Sequence, residues 1–149
     1  MSWRIKNDAL YETNGDVICT FASDLDPFYS RLIKKMPDIM SLFFEFRETY
    51  EAKKKISKKL FDKFCDLIEE NQNYNFKWEL DKDGDLIDNA NRKICFFSDK
   101  ESTDAVFIQF VPEILTAIKN HIAAFTSTDA KQKPLYESLS KILKRIDDY

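Results

Sequence analysis

Apolar and polar residues alternate over residues 3–6, and this period of two predicts a short strand; residues 10–12 read as a second and residues 16–21, rich in β-formers, as a third. Asn7-Asp8 marks the first turn between them. Asn14-Gly15 marks the second, where a type I′ turn with positive φ at both residues is expected. Beyond Phe21 the period lengthens to that of a helix. Asp26 before Pro27 reads as an N-cap followed by the first helical position. Phe28, Leu32 and Ile33 then share one face, and Pro37 ends this helix at Lys35-Met36 and opens the next. Ile56, Leu60, Phe64 and the Leu67-Ile68 pair space a third helix that ends near Asn71. The pattern leaves residues 47–59 open between loop and continuous helix.

The same order then returns. Strands are expected over residues 77–80, 85–88 and 92–97. Ser102 or Thr103 caps a helix reaching about residue 111, and Pro112 opens another reaching about residue 125. Residues 126–133 read as a loop, after which Pro134 starts the last helix. Its inner face is Leu135, Leu139, Ile142, Leu143 and Ile146, and Lys141, Lys144 and Arg145 near its end suit the helix dipole.

Individual residues recur with the pattern. Trp3, Ile18-Cys19, Phe21, Ile33 and Pro37-Asp38-Ile39 return as Trp78, Ile94-Cys95, Phe97, Ile108 and Pro112-Glu113-Ile114. Leu10-Tyr11-Glu12 matches Leu86-Ile87-Asp88, and Asn14-Gly15 falls on Ala90-Asn91. This reads as an internal duplication: copy one at residues 1–71 and copy two at residues 72–149, each a three-stranded meander followed by two to three helices. The period exceeds the roughly 20–50 residues of solenoid repeats. A three-stranded meander with so few helices is marginal alone. The expected fold is therefore α+β, with the two copies sharing one core about a pseudo-twofold axis.

Composition narrows the class. With 149 residues the chain makes one ordinary domain or two small ones in contact, and two glycines and four prolines argue against disorder. A net charge of -3 gives no global pull toward nucleic acid or anionic membrane. Three cysteines without CxxC spacing, no signal peptide and no apolar run near the roughly 20 residues that span a bilayer make a cytoplasmic protein the simplest expectation.

Candidate chemistry is sparse. Asp81-x-Asp83-Gly84-Asp85 resembles the start of a calcium loop, but Gly84 stands at loop position four and Arg92 at twelve, where an EF-hand needs Gly at six and Glu at twelve. A turn with solvated acids is the expected reading, and no metal or cofactor is expected. Cys19 and Cys95 occupy equivalent strand positions and read as small buried apolar residues. His121, the only histidine, lies in a helical pattern without a nucleophile motif, and no GxSxG, HExxH, P-loop or GxGxxG occurs. No catalytic residue is expected. Two charged stretches are candidate contact regions. The acidic hairpin offers Glu79, Asp81, Asp83, Asp85 and Asp88 against Lys82 alone; the lysine-rich helix offers Lys53, Lys54 and Lys58 among Lys55, Lys59 and Lys63. Phe43, Phe44 and Phe46 cannot all face one way on a helix, so one or more would reach the other copy or a partner.

The run Trp3-x-Ile5, a turn, Asn14-Gly15-Asp16-Val17-Ile18, then Arg31-Leu32-Ile33 and Pro37-Asp38-Ile39 resembles small phage and prophage proteins of unknown function. In those, a Trp-led hairpin with Asp/Asn-Gly precedes Ala-Arg-Leu-Ile-Ala-Ala-Ala-Pro-(Asp/Glu)-Leu-Leu. Lys34, Lys35 and Met36 replace the alanines here, and the resemblance covers about a quarter of the chain directly. It implies a bacteriophage or mobile-element setting and carries no catalytic residues. The function expected by analogy is a non-enzymatic protein that binds and inhibits a host factor by steric and electrostatic occlusion, a CRISPR or other defence complex leading the candidates. The partner would be a host protein or ribonucleoprotein, with direct nucleic-acid binding and membrane binding not expected. The alternatives are a small-ligand-binding protein with its site between the copies, and a virion structural or assembly component.

Overall fold

The computed structural model describes residues 3–53, 56–68, 74, 76–122 and 128–148, with backbone alone at 49–53, 121–122 and 128–134. Among them the predicted strands form as β1 (Arg4–Lys6), β2 (Ala9–Tyr11), β3 (Val17–Phe21), β4 (Trp78–Leu80), β5 (Asp85–Asp88) and β6 (Lys93–Phe97). The helices are α1 (Pro27–Lys34), α2 (Met36–Lys53), α3 (Lys58–Leu67), α4 (Thr103–Gln109), α5 (Val111–Ile122) and α6 (Thr128–Asp147). The fold is α+β.

All six strands join one antiparallel sheet in the order β1-β2-β3-β6-β5-β4. The two meanders meet at β3 and β6, where Cys19 pairs with Phe97, Thr20 with Phe96 and Phe21 with Cys95. Each meander carries one bulge, between Leu10 and Tyr11 and between Leu86 and Ile87.

The turns correct one expectation. The type I′ turn lies at Asn7-Asp8, both with positive φ (50° and 61°), and not at Asn14-Gly15. There the Gly15 N–H donates to Glu12 O, the Glu12 N–H to Asp16 O, and only Gly15 has positive φ, at 95°. This is a three-residue connection, a type I turn closed by one left-handed residue. Residues 81–85 and 88–92 repeat it with Gly84 (φ 83°) and Asn91 (φ 62°) at the left-handed position.

The helix starts follow their caps. Asp26 Oδ1 accepts from the Tyr29 N–H at 2.8 Å with Pro27 at the first position, Ser57 Oγ from Leu60 N–H at 3.2 Å, and Ser102 Oγ from Ala105 N–H at 3.2 Å. α2 continues to Lys53, which decides the first part of residues 47–59. α6 begins at Thr128, upstream of the start expected at Pro134. Ala130, Lys131, Gln132 and Lys133 are good helix formers, and the loss of one backbone donor at Pro134 does not stop them.

The chain divides into two compact units. The first is Met1–Ser41 with Phe76–Gln109; the second is Leu42–Asn75 with Phe110–Tyr149. Each therefore draws on both halves of the chain. The first holds the whole sheet, α1 and α4, with α4 against β4, over a core that includes Leu10, Cys19, Leu86, Ile94 and Phe107. The second is helical. There α5 packs on α6 and α3 on both, around Phe43, Phe46, Phe64, Ile114, Leu139 and Leu143. Phe43 and Phe46 are fully buried with ring centroids 6.0 Å apart, while Phe44 is half-buried. Arg145 joins Glu113 at 2.9 Å and Arg47 joins Asp147 at 3.3 Å on the surface of this unit.

Candidate functional site

The acidic hairpin, β4 to β6, holds most of the polar chemistry of the first unit. Its five acids have three different fates. Asp88 is not at the surface: its side chain is 0% exposed. Oδ1 accepts from the N–H groups of Ala90 and Arg92, each at 2.9 Å; Oδ2 accepts from Arg92 Nε at 2.9 Å and from the Tyr29 hydroxyl at 3.0 Å. Burial pushes this carboxyl up, but the backbone donors, the Tyr29 hydroxyl and the Arg92 charge outweigh it and hold it below the usual range. Tyr29 responds in the opposite direction. Burial first, then the bond to Asp88, pushes its phenol up to about 12.

Asp81 repeats the backbone part of this arrangement nearer the solvent. Its Oδ1 accepts from Asp83 N–H at 2.9 Å and Asp85 N–H at 3.0 Å. Lys93 Nζ bonds Asp81 Oδ2 and reaches Asp85 Oδ2 at 3.2 Å. The Lys93 bond comes first in holding the Asp81 carboxyl down at about 2. Carboxylate oxygens of Asp81, Asp83 and Asp85 all lie within 4.8 Å of one another. The Lys93 ammonium already bridges two of them, so the charge concentration read from the sequence is largely answered inside the hairpin. Glu79 and Asp83 remain exposed, and neither has an ion-pair partner among the described residues.

An aromatic group backs the hairpin. Phe76 stands edge-on to Phe28 and Tyr29, each at 5.7 Å between centroids, and 5.6 Å from Trp78. The Arg92 guanidinium lies 5.7 Å over the Tyr29 ring and 3.7 Å from Asp26. Beside it runs an open groove of about 310 Å³ lined by Ala22, Ser23, Asp24, Leu25, Asp26, Tyr29, Arg92, Lys93, Ile94 and Phe96. Trp3 and Trp78 are buried.

On the face of the sheet away from Cys19 and Cys95, Ile18 and Ile94 are buried and the next residues, Thr20 and Phe96, are exposed. Phe96 is 42% exposed and Val17 39%, the only large hydrophobic residues so exposed among those described. Thr20, paired with Phe96 across β3 and β6, is exposed too. Cys19 and Cys95 face inward as expected. They are free and buried, and neighbouring Cys19 followed by burial raises the Cys95 thiol.

The second contact candidate lies apart in the chain. Lys58 and Lys59 are exposed on α3, and Lys63 pairs with Glu45 at 3.6 Å. Lys53 is described only as backbone at the end of α2, and Lys54 and Lys55 lie outside the described residues, as does the His121 side chain.

One detail of the site was legible and missed. In β5, Asp88 alternates in phase with Leu86, which predicts an inward carboxylate. In β6, Phe96 lies out of phase with Cys95, on the same face as Ile94; that Ile94 is buried and Phe96 exposed was not written in the alternation. Tyr29 carried no such signal, because its partner lies 59 residues away. Comparison of the chain with known protein families, curated proteins and solved structures finds no match. No helix among the described residues is long and apolar enough to cross a membrane.

Proposed function

We propose that this chain is a non-enzymatic binding protein of a phage or mobile element that occludes a host factor, with a CRISPR or other defence complex as the partner class. The observation that carries the reading is Phe96, an aromatic ring 42% exposed in the middle of a six-stranded sheet. Exposed aromatic surface rimmed by charge is the usual composition of an interface centre. Its rim includes Lys93 and Asp85. The exposed acids Glu79 and Asp83 extend the contact, and Lys58 is the candidate on α3. Asp81, Asp85 and Asp88 act in this reading as supports of the hairpin, through Lys93 and Arg92, more than as charges offered to a partner.

We also propose that the two halves are duplicates. The alignment that matches Glu12 to Asp88 and Ile33 to Ile108 also matches Tyr29 to Asp104. Tyr29 bonds Asp88, and the Asp104 carboxyl is raised in part by Glu12. The bulges fall at matched pairs, Leu10/Tyr11 and Leu86/Ile87, and β3 meets β6 through Thr20 and Phe96, which the same alignment also matches. These correspondences support the duplication independently of residue identity.

The experiment is an affinity capture from a bacterial lysate carrying defence complexes, using the wild type and Phe96→Asp. A stoichiometric defence complex retained by the wild type and lost with Phe96→Asp is the expected result. Retention of a small molecule with no protein would replace it with the ligand-binding reading, which the groove between residues 22–29 and 92–96 favours.

A further inference from the structure

The two edge strands of the sheet, β1 and β4, carry opposite charge. The register of each edge strand fixes which backbone groups point off the sheet. The Phe21 N–H donates to Asp8 O and the Glu12 N–H to Asp16 O, each at 2.8 Å, so Asp8, Leu10 and Glu12 turn their backbone groups to β3. Ala9 and Tyr11 turn theirs to β1, where they pair with Lys6 and Arg4. The Ile5 N–H and C=O therefore point outward. At the other edge the Asp81 N–H donates to Asp85 O at 2.9 Å and Glu79 pairs with Ile87, which leaves the Leu80 N–H and C=O pointing outward.

Side chains follow the same alternation. Ile5 lies in the row of Leu10 and Cys19, and Leu80 in the row of Leu86 and Cys95, so both belong to the inner face. Both are half-buried. Arg4 and Lys6 flank Ile5 on the opposite face, as Glu79 and Asp81 flank Leu80. Arg4 and Lys6 are exposed with no carboxylate partner among the described residues, and Glu79 is exposed with no cation. An open space of about 510 Å³ lined by Arg4, Ile5, Lys6, Asn7, Tyr11 and Gly15 runs beside β1.

We propose that β1 of one molecule adds antiparallel to β4 of a second copy of this chain, with Ile5 opposite Leu80. Ile5 and Leu80 then exchange both backbone hydrogen bonds. Lys6 meets Glu79, Arg4 meets Asp81 on the face where that acid already holds Lys93, and both apolar side chains stay on the inner face. Charge on an edge strand ordinarily blunts pairing. Here it forbids β1 with β1 and β4 with β4, and favours only the unlike pair. The contact is heterologous and leaves an edge free at each end, so it extends into an open series. It does not depend on the host-factor reading.

Sedimentation velocity of the full chain tests this from about 10 µM to about 1 mM, the range in which a contact this small associates. The expected result is a mass that rises with concentration, rises less in 1 M salt, and stays monomeric in the Arg4→Glu/Lys6→Glu variant, whose far-UV CD matches the wild type. Ile5→Pro, which removes an outward N–H and no bond to β2, has the same effect at unchanged charge. A wild type that is monomeric throughout, or an association untouched by the double charge reversal, overturns the proposal.

Discussion

The Tyr29 hydroxyl donates to Asp88 Oδ2 at 3.0 Å, joining α1 to the end of β5 through a fully buried carboxylate. Asp88 also holds the Ala90 and Arg92 N–H groups, so one side chain closes a turn and receives a helix. Asp88→Ala leaves these donors without their acceptor and is expected to cost about 3 kcal/mol, whereas Tyr29→Phe removes one donor and costs about 1.5 kcal/mol. Urea denaturation of both variants checks the order.

Asp104 sets an unusual pH dependence. Burial first, then the bond to Glu12 and the Glu12 charge, pushes its carboxyl up from 3.8 to about 7. Between these values the folded state holds a proton that the unfolded state has lost. Stability is therefore expected to fall as pH rises from about 4 to about 7, and Asp104→Asn should flatten that limb. Asp81 and Asp88 act with the opposite sign. Their lowered values give stability that is present above the ordinary 3.8 and lost as pH falls below it, through about 2 for Asp81. Thermal melts across the range, in the wild type and Asp104→Asn, separate the two limbs.

Lys93 is the counter-charge of the hairpin. Lys93→Ala removes the first cause of the Asp81 depression, so that carboxyl should move up toward 3.8 in an NMR titration. The ion pairs are exposed on the lysine side and screened by solvent, so the stability loss should be small. An unchanged Asp81 titration would contradict the assignment.

The two glycines separate backbone strain from crowding. Gly15 has φ 95° with nothing within 4 Å of an added Cβ, so Gly15→Ala costs the left-handed conformation alone, about 1 kcal/mol. Gly84 has φ 83°, and a Cβ there would overlap the Lys100 side chain. Gly84→Ala is expected to cost more, by the displacement of that side chain. Paired denaturation curves decide it.

Most local structure was written in the residue pattern. Short runs of β-formers between turn signals mark the strands, and Asp26-Pro27, Ser57 and Ser102 start their helices by capping chemistry that needs only neighbours in the chain. The recurrence of Trp3, Cys19 and Pro37 as Trp78, Cys95 and Pro112 is likewise sequence-borne. Turn geometry was less legible, because Asn14-Gly15 suits either a two-residue or a three-residue connection and the strand register chooses between them. What only the tertiary structure decided rests on residues far apart in sequence. Thr20 meets Phe96 to join the meanders, Lys93 answers Asp81 and Asp85, and Tyr29 reaches Asp88. A linear pattern records which residues are apolar or charged. It does not record which strand lies beside which, and that neighbour decides whether a carboxylate such as Asp88 is buried and bonded or, like Glu79, left at an open edge.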